Sequence, residues 1–294
     1  MNTLATTASE DHPSIWSELR NVSFTQGYVG ANGIRTRYVE AGPISAPAAV
    51  MLHGTGGHWE TFCRNLGPFS QHFRTIAFDM VGNGFTDRPD HDYEILNYVD
   101  HLRDTMDALG VERAHLLGTS LGSWVAAAFA LRYPDRVDKM VFMSTAGLMA
   151  TAENMARIRA TRMQAVNDPN WTSIKAMFDH LMASEDNRLD DLVSLRQAIY
   201  RQPGMIATME HTLVLQEAET RGRNLIPEAD WRTISAPTLT IASGQDVSEY
   251  TNTSRQVAEL MPNAQVFEMA NVKHWPHFEN AAVFNDVSLN FLLS

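Results

Sequence analysis

The sequence predicts an α/β fold: a mostly parallel sheet with flanking helices and an inserted helical cap. Three observations point there. Short apolar runs alternate with helix-patterned stretches along most of the chain, the alternation stops between about Gly147 and Trp231, and a Gly-x-Ser-x-Gly turn joins an apolar run to an Ala-rich segment.

In order along the chain, the first 22 residues are polar and read as a loose arm. Ser23 to Gly30 and Ile34 to Glu40 are strand-like and flank Ala31-Asn32-Gly33, so they read as a hairpin. Ala48 to Leu52, Arg74 to Phe78, His115 to Leu117, Lys139 to Met143, Thr238 to Ile241 and Gln265 to Met269 are short and apolar, as parallel strands buried on both faces should be. Leu96 to Leu109 and Leu121 to Tyr133 read as helices between them, the second stopping before Pro134. Residues 147–231 then form the expected cap, and 1–146 with 232–294 the core. The cap is rich in Met, which either fills gaps in its core or lines an adaptable apolar pocket.

Composition narrows the class. With 44% hydrophobic and 19% charged residues the chain is an ordinary globular protein, which excludes disorder, collagen and membrane spans. A net charge of -11 without a basic cluster speaks against nucleic acid and anionic membranes as partners. The sole cysteine, Cys63, has no internal partner, and the N-terminus lacks a basic start and an apolar run, so a cytoplasmic location is expected. His53-Gly54-Thr55-Gly56-Gly57 lacks the Gly-Lys-Ser/Thr of a phosphate loop, and Asp87 replaces the third glycine that a dinucleotide fingerprint beginning at Gly82 would need. The expectation is therefore a small-molecule substrate with neither cofactor nor metal; homo-oligomerisation is left open.

The chemistry centres on Gly118-Thr119-Ser120-Leu121-Gly122. A sharp strand-to-helix turn holds a serine hydroxyl out over the sheet, and glycines on either side let strand and helix approach. Ser120 is the expected nucleophile. An acyl-transfer oxyanion needs two backbone donors, one after the nucleophile and one from an earlier strand-ending loop, here the amides of Leu121 and Thr55. Taken alone, the His53–Gly57 run is an ordinary turn. A serine also needs an imidazole, and the imidazole a carboxylate. Of 11 histidines, His274 follows the last expected strand and lies nearer its end than the competing His277. Asp246, after Ile241-Ala242-Ser243-Gly244-Gln245, is the expected acid, with Glu249 as a substitute.

Together these segments resemble the α/β-hydrolase superfamily from about Gly27 to Leu293, and within it the meta-cleavage product hydrolases, which split carbon-carbon bonds in vinylogous 1,5-diketones made by aromatic ring cleavage. His274-Trp275 is similar to that family's His-Trp pair. Leu189 to Arg196 followed by Arg201-Gln202-Pro203-Gly204 resembles the helix carrying its substrate-binding arginine, and Met143 to Leu148 the run leading into its cap. The resemblance implies an α/β-hydrolase fold, a Ser120, Asp246, His274 triad, and substrate contacts from Arg196 and Trp275. It also implies a course of dienol ketonisation, attack by Ser120 and an acyl-enzyme. The chain departs from the family in its Thr55-Gly56-Gly57-His58 loop, in Thr119 where an Asn commonly precedes the nucleophile, and in an acid loop one residue short. A carboxylesterase or lactonase would use the same triad, and a non-catalytic ligand-binding protein the same fold. A serine at the elbow argues against dehalogenases and epoxide hydrolases, which attack through a carboxylate.

Overall fold

The computed structural model describes residues 13–294. An eight-stranded sheet runs through it in the order β1 (Phe24–Ala31), β2 (Ile34–Ala41), β4 (Arg74–Phe78), β3 (Ala48–Leu52), β5 (Ala114–Thr119), β6 (Val137–Met143), β7 (Thr238–Ser243) and β8 (Ala264–Met269). β2 lies antiparallel to both β1 and β4, and every pairing from β4 through β8 is parallel. The chain reverses at Asn32 and Gly33, both at positive φ, as the hairpin reading requires.

Successive residues of the central strands feed opposite faces. Ala49 and Met51 of β3 and Val141 and Met143 of β6 enter one apolar cluster, whereas Val50, Leu52, Met140 and Phe142 enter the other. Two cores, one on each face, are why every residue of β3, β4, β5 and β7 is buried rather than every second one. The strands between β3 and β8 all leave their carboxyl ends on one edge, and that edge carries the site.

Between β6 and β7 the described chain is helical, from Ala152–Asn167 to Glu228–Trp231. Of its methionines, Met177, Met182, Met205 and Met209 are buried in a core cluster, and the described residues lining the cavity at Ser120 include no methionine. No helix among the described residues is long and apolar enough to cross a membrane.

One expectation needs correction. Residues 1–12 of the expected loose arm lie outside the described residues, but Ile15–Leu19 is a helix with a reciprocal Ser14/Ser17 cap. Ile15 and Leu19 are buried, and the Ile15 amide donates to Asp191 Oδ2 at 2.7 Å, tying this helix to the segment between β6 and β7.

Three imidazoles sit in the interior as neutral groups. Burial lowers His53, His101 and His277 to about 3. Their pKa values lie below the ordinary value of an unfolded chain, so the stability they confer is present above about pH 6.5 and is lost as pH falls toward 3. Across that window each favours the unfolded chain increasingly as pH falls, because the imidazole takes up its proton only when unfolded. Urea unfolding at pH 7.5 and pH 5 is expected to show a marked fall in midpoint at the lower pH; coincident curves would contradict it.

Candidate active site

Ser120 closes β5 and caps the Leu121–Arg132 helix with φ 53° and ψ -117°, a left-handed backbone that a non-glycine residue adopts only when its surroundings enforce it. Its amide donates to Met143 O of β6 at 2.9 Å, and its carbonyl accepts the Ser123 and Trp124 amides. A Cβ at Gly122 would stand 2.1 Å from Leu52 O, and one at Gly118 2.4 Å from Gly122, so the crossing demands both glycines. The Ser120 side chain opens into a cavity lined also by Thr55, Arg196, Asp246, His274 and Trp275.

His274 lies on the β8-to-helix loop, and its amide donates to Leu181 O at 3.1 Å. Its Nδ1 donates to Asp246 Oδ2 at 2.9 Å. The shortened acid loop still delivers the carboxylate because it leans on the end of β8: the Gly244 amide donates to Met269 O and the Gln245 amide to Val272 O, at 2.8 and 3.0 Å. A Cβ at Gly244 would stand 2.5 Å from Ala270 O. Burial alone would raise the Asp246 carboxyl, but His274, through its charge and hydrogen bond, with the Ser144 hydroxyl and the Val247 amide, outweighs it and holds the group below its ordinary value.

Ser144 was not singled out from the sequence. It follows β6 with φ 46°, and its hydroxyl lies 2.7 Å from Asp246 Oδ2 and 2.9 Å from His274 O, within reach of both members of the pair. Glu249 is occupied elsewhere: it accepts from the Thr151 amide and hydroxyl and from Asn154 Nδ2, at the start of the Ala152–Asn167 helix. His277 is buried among Phe62, Trp275 and Phe284. Neither alternative reaches the cavity.

The loop after β3 is fixed by His53, whose Nε2 accepts the Met80 amide at 3.0 Å while Nδ1 donates to Gly54 O at 2.7 Å. The Gly56 amide donates to Asn83 Oδ1 at 3.0 Å. Among the described residues neither the Thr55 nor the Leu121 amide has a backbone acceptor. Both residues line a second, more apolar pocket on Ser120, with Trp124, Ala146, Ile158 and Leu215.

Arg196 is the largest departure from a default reading. On a polar helix, Asp190–Tyr200, it would by default be a solvated surface charge, yet it is 1% exposed. Its Nη1 lies 3.5 Å from Tyr200 Oη, its guanidinium faces the rings of Phe178 and Tyr200, and Nε and Nη2 have no partner. Trp275 is buried with its ring edge-on to Phe178 at 5.6 Å, so the indole forms an apolar wall beside the arginine. Among the described residues no group of three or more His, Cys, Asp or Glu could hold a metal ion.

Residues 47–281 match the family described as the alpha/beta hydrolase fold. The chain is 31% identical over 291 residues to a 2-hydroxy-6-oxononadienedioate/2-hydroxy-6-oxononatrienedioate hydrolase of Comamonas testosteroni, covering 94% of this chain and 99% of the relative. It is 29% identical over 272 residues to a 2-hydroxy-6-oxo-6-phenylhexa-2,4-dienoate hydrolase of Burkholderia cepacia, covering 90% and 93%. Among solved structures, the meta-cleavage product hydrolase of Pseudomonas fluorescens IP01 superposes with a TM-score of 0.80 at 29% identity over 90% of this chain and 96% of that one. A sheet of this topology, a serine elbow and these matches lead to one conclusion: the chain belongs to the α/β-hydrolase fold family and, within it, is a hydrolase of the group that contains the meta-cleavage product hydrolases.

Proposed function

We propose that the protein hydrolyses a carbon-carbon bond in a vinylogous 1,5-diketone of the kind produced by aromatic ring cleavage. The observation that carries this reading is Arg196: a guanidinium with unpartnered nitrogens, buried in the same cavity as Ser120 and the Asp246–His274 pair. A simple esterase has no use for it. Leaving a charge so buried without an anion costs on the order of several kcal/mol, which a substrate carboxylate or dienolate would offset.

In this reading residues 1–146 and 232–294 are the core and 147–231 the cap that closes over the substrate. His274 and Arg196 assist conversion of the dienol to its keto form, Arg196 holding the acidic end and Trp275 the apolar wall. His274 then takes the Ser120 proton as Oγ adds to the ketone carbon, and the Thr55 and Leu121 amides stabilise the oxyanion. Collapse breaks the carbon-carbon bond; the departing carbanion takes a proton from His274, and the acyl group stays on Ser120. A water deprotonated by His274 releases the second acid. Asp246 keeps His274 in the tautomer this requires, with Nδ1 as donor.

The reading is tested with a coloured ring-cleavage dienol beside a p-nitrophenyl ester. Wild type is expected to bleach the dienol, and Arg196→Gln to slow bleaching about 100-fold or more while slowing the ester far less, since a charge-assisted fork is lost only for the acidic substrate. Equal slowing of both would point to an esterase instead.

A further inference from the structure

Two arginines that this scheme leaves unused share the cavity with Arg196. Arg157 and Arg162 line it from one face of the Ala152–Asn167 helix, together with Ile158 and Thr161. Arg162 is 8% exposed and its Nε has no partner. Arg159, Arg188 and Arg221, on the same helical segment, each reach a carboxylate, whereas among the described residues Arg157, Arg162 and Arg196 reach none. Asp246 is the one carboxylate in the described wall, and it is held by His274, Ser144 and the Val247 amide.

The three cations share one space. Burial drives the Arg162 guanidinium below its ordinary value; the Tyr200 phenol counters, and the charges of Arg196 and Arg157 push it down further. Gly56, at φ +69°, keeps the loop bare there: a Cβ on it would stand 2.9 Å from Tyr200 Oη and 3.7 Å from Arg162 Nε. Arg196 reaches that same phenol. In a chain of net charge -11, this local excess of positive charge is not a general property of the protein. One carboxylate fills one guanidinium fork. A substrate with a single acidic group, bound to Arg196, would leave Arg162 buried beside two like charges and without a counter-ion.

We infer that Arg162, with Arg157, forms a second anion subsite beside Arg196, and that the substrate is a dicarboxylate, a dienol with a further acidic group besides its dienoate carboxylate. The dienol half of this inference rests on the function proposed above; the anion subsite does not. The relatives bear on the choice only by dividing, one being named for a dienedioate and one for a phenyl-substituted monoacid.

Calorimetric titration with adipate and hexanoate, which differ in one carboxylate at equal length, tests the subsite without turnover. Wild type is expected to bind adipate at least tenfold more tightly. Arg162→Gln should abolish that advantage while leaving hexanoate affinity within about twofold, which also shows an intact cavity; Arg162→Lys, keeping the charge, should retain part of it. Equal wild-type affinities, an adipate advantage that survives Arg162→Gln, or loss of both acids in a variant with an unchanged unfolding midpoint would overturn the subsite. Dienols with one and two carboxylates separate the two readings. If neither bleaches while adipate is still preferred, the carbon-carbon reading fails and the subsite stands; if both bleach with equal kcat/KM and the acids bind equally, the reverse holds.

Discussion

Asp246→Asn is expected to lower kcat about 10⁴-fold with little change in KM. The carboxylate accepts from three directions: Oδ2 from the His274 imidazole and the Ser144 hydroxyl, and Oδ1 from the Val247 amide. An asparagine has two donor hydrogens where the aspartate has only lone pairs. If its nitrogen takes the Oδ2 position, it faces His274 Nδ1 as a donor and forces the proton onto Nε2, where it can no longer be taken from Ser120. If its oxygen stays there, the nitrogen faces the Val247 amide instead, and the negative charge that would stabilise the imidazolium is gone either way. Ser144→Ala removes only one of the donors and should cost about tenfold. Steady-state kinetics on any accepted substrate reads both, and near-normal activity in Asp246→Asn would move the acid's role elsewhere.

Ser120→Ala should remove about 10⁶ from kcat, since losing the attacking group alone costs nearly as much as losing the whole triad. It should also abolish fluorophosphonate labelling. Binding should survive, because Arg196 and Trp275 line the cavity independently of the elbow. Labelling of the alanine variant equal to wild type would remove Ser120 as nucleophile.

How much of this was legible in the sequence depends on where each partner lies along the chain. The places of the central strands were legible because a strand buried on both faces is a short, largely apolar run bounded by turns; β3 and β4 coincide with Ala48 to Leu52 and Arg74 to Phe78, whereas β5, β6 and β7 run up to two residues beyond the expected ends and the edge strand β8 is buried only at Met269. The places of Ser120 and His274 at strand ends followed from the same rhythm. The short helix at Ile15–Leu19 was missed because its cap pairs Ser14 with Ser17, a weaker signal than serine followed by Glu or Gln three residues on. Ser144 was illegible for another reason. Its partner is 102 residues away, and nothing local distinguishes it from an ordinary turn serine. Arg196 stood out only through family resemblance, since burial of a residue on a polar helix is decided by what packs over it. For Arg157 and Arg162 the available signal was a helix whose arginines outnumber its acids, with Glu153 alone to answer Arg157, Arg159 and Arg162.

The central claim is that Ser120 works on a carbon-carbon bond, and product analysis in ¹⁸O-labelled water tests it most directly. With a coloured ring-cleavage dienol, wild type is predicted to yield two carboxylic acids in equal amounts as the colour fades. Solvent oxygen should appear only in the acid released from the acyl-enzyme. Persistence of the intact dienol, while simple esters are hydrolysed rapidly by the same preparation, would contradict the account.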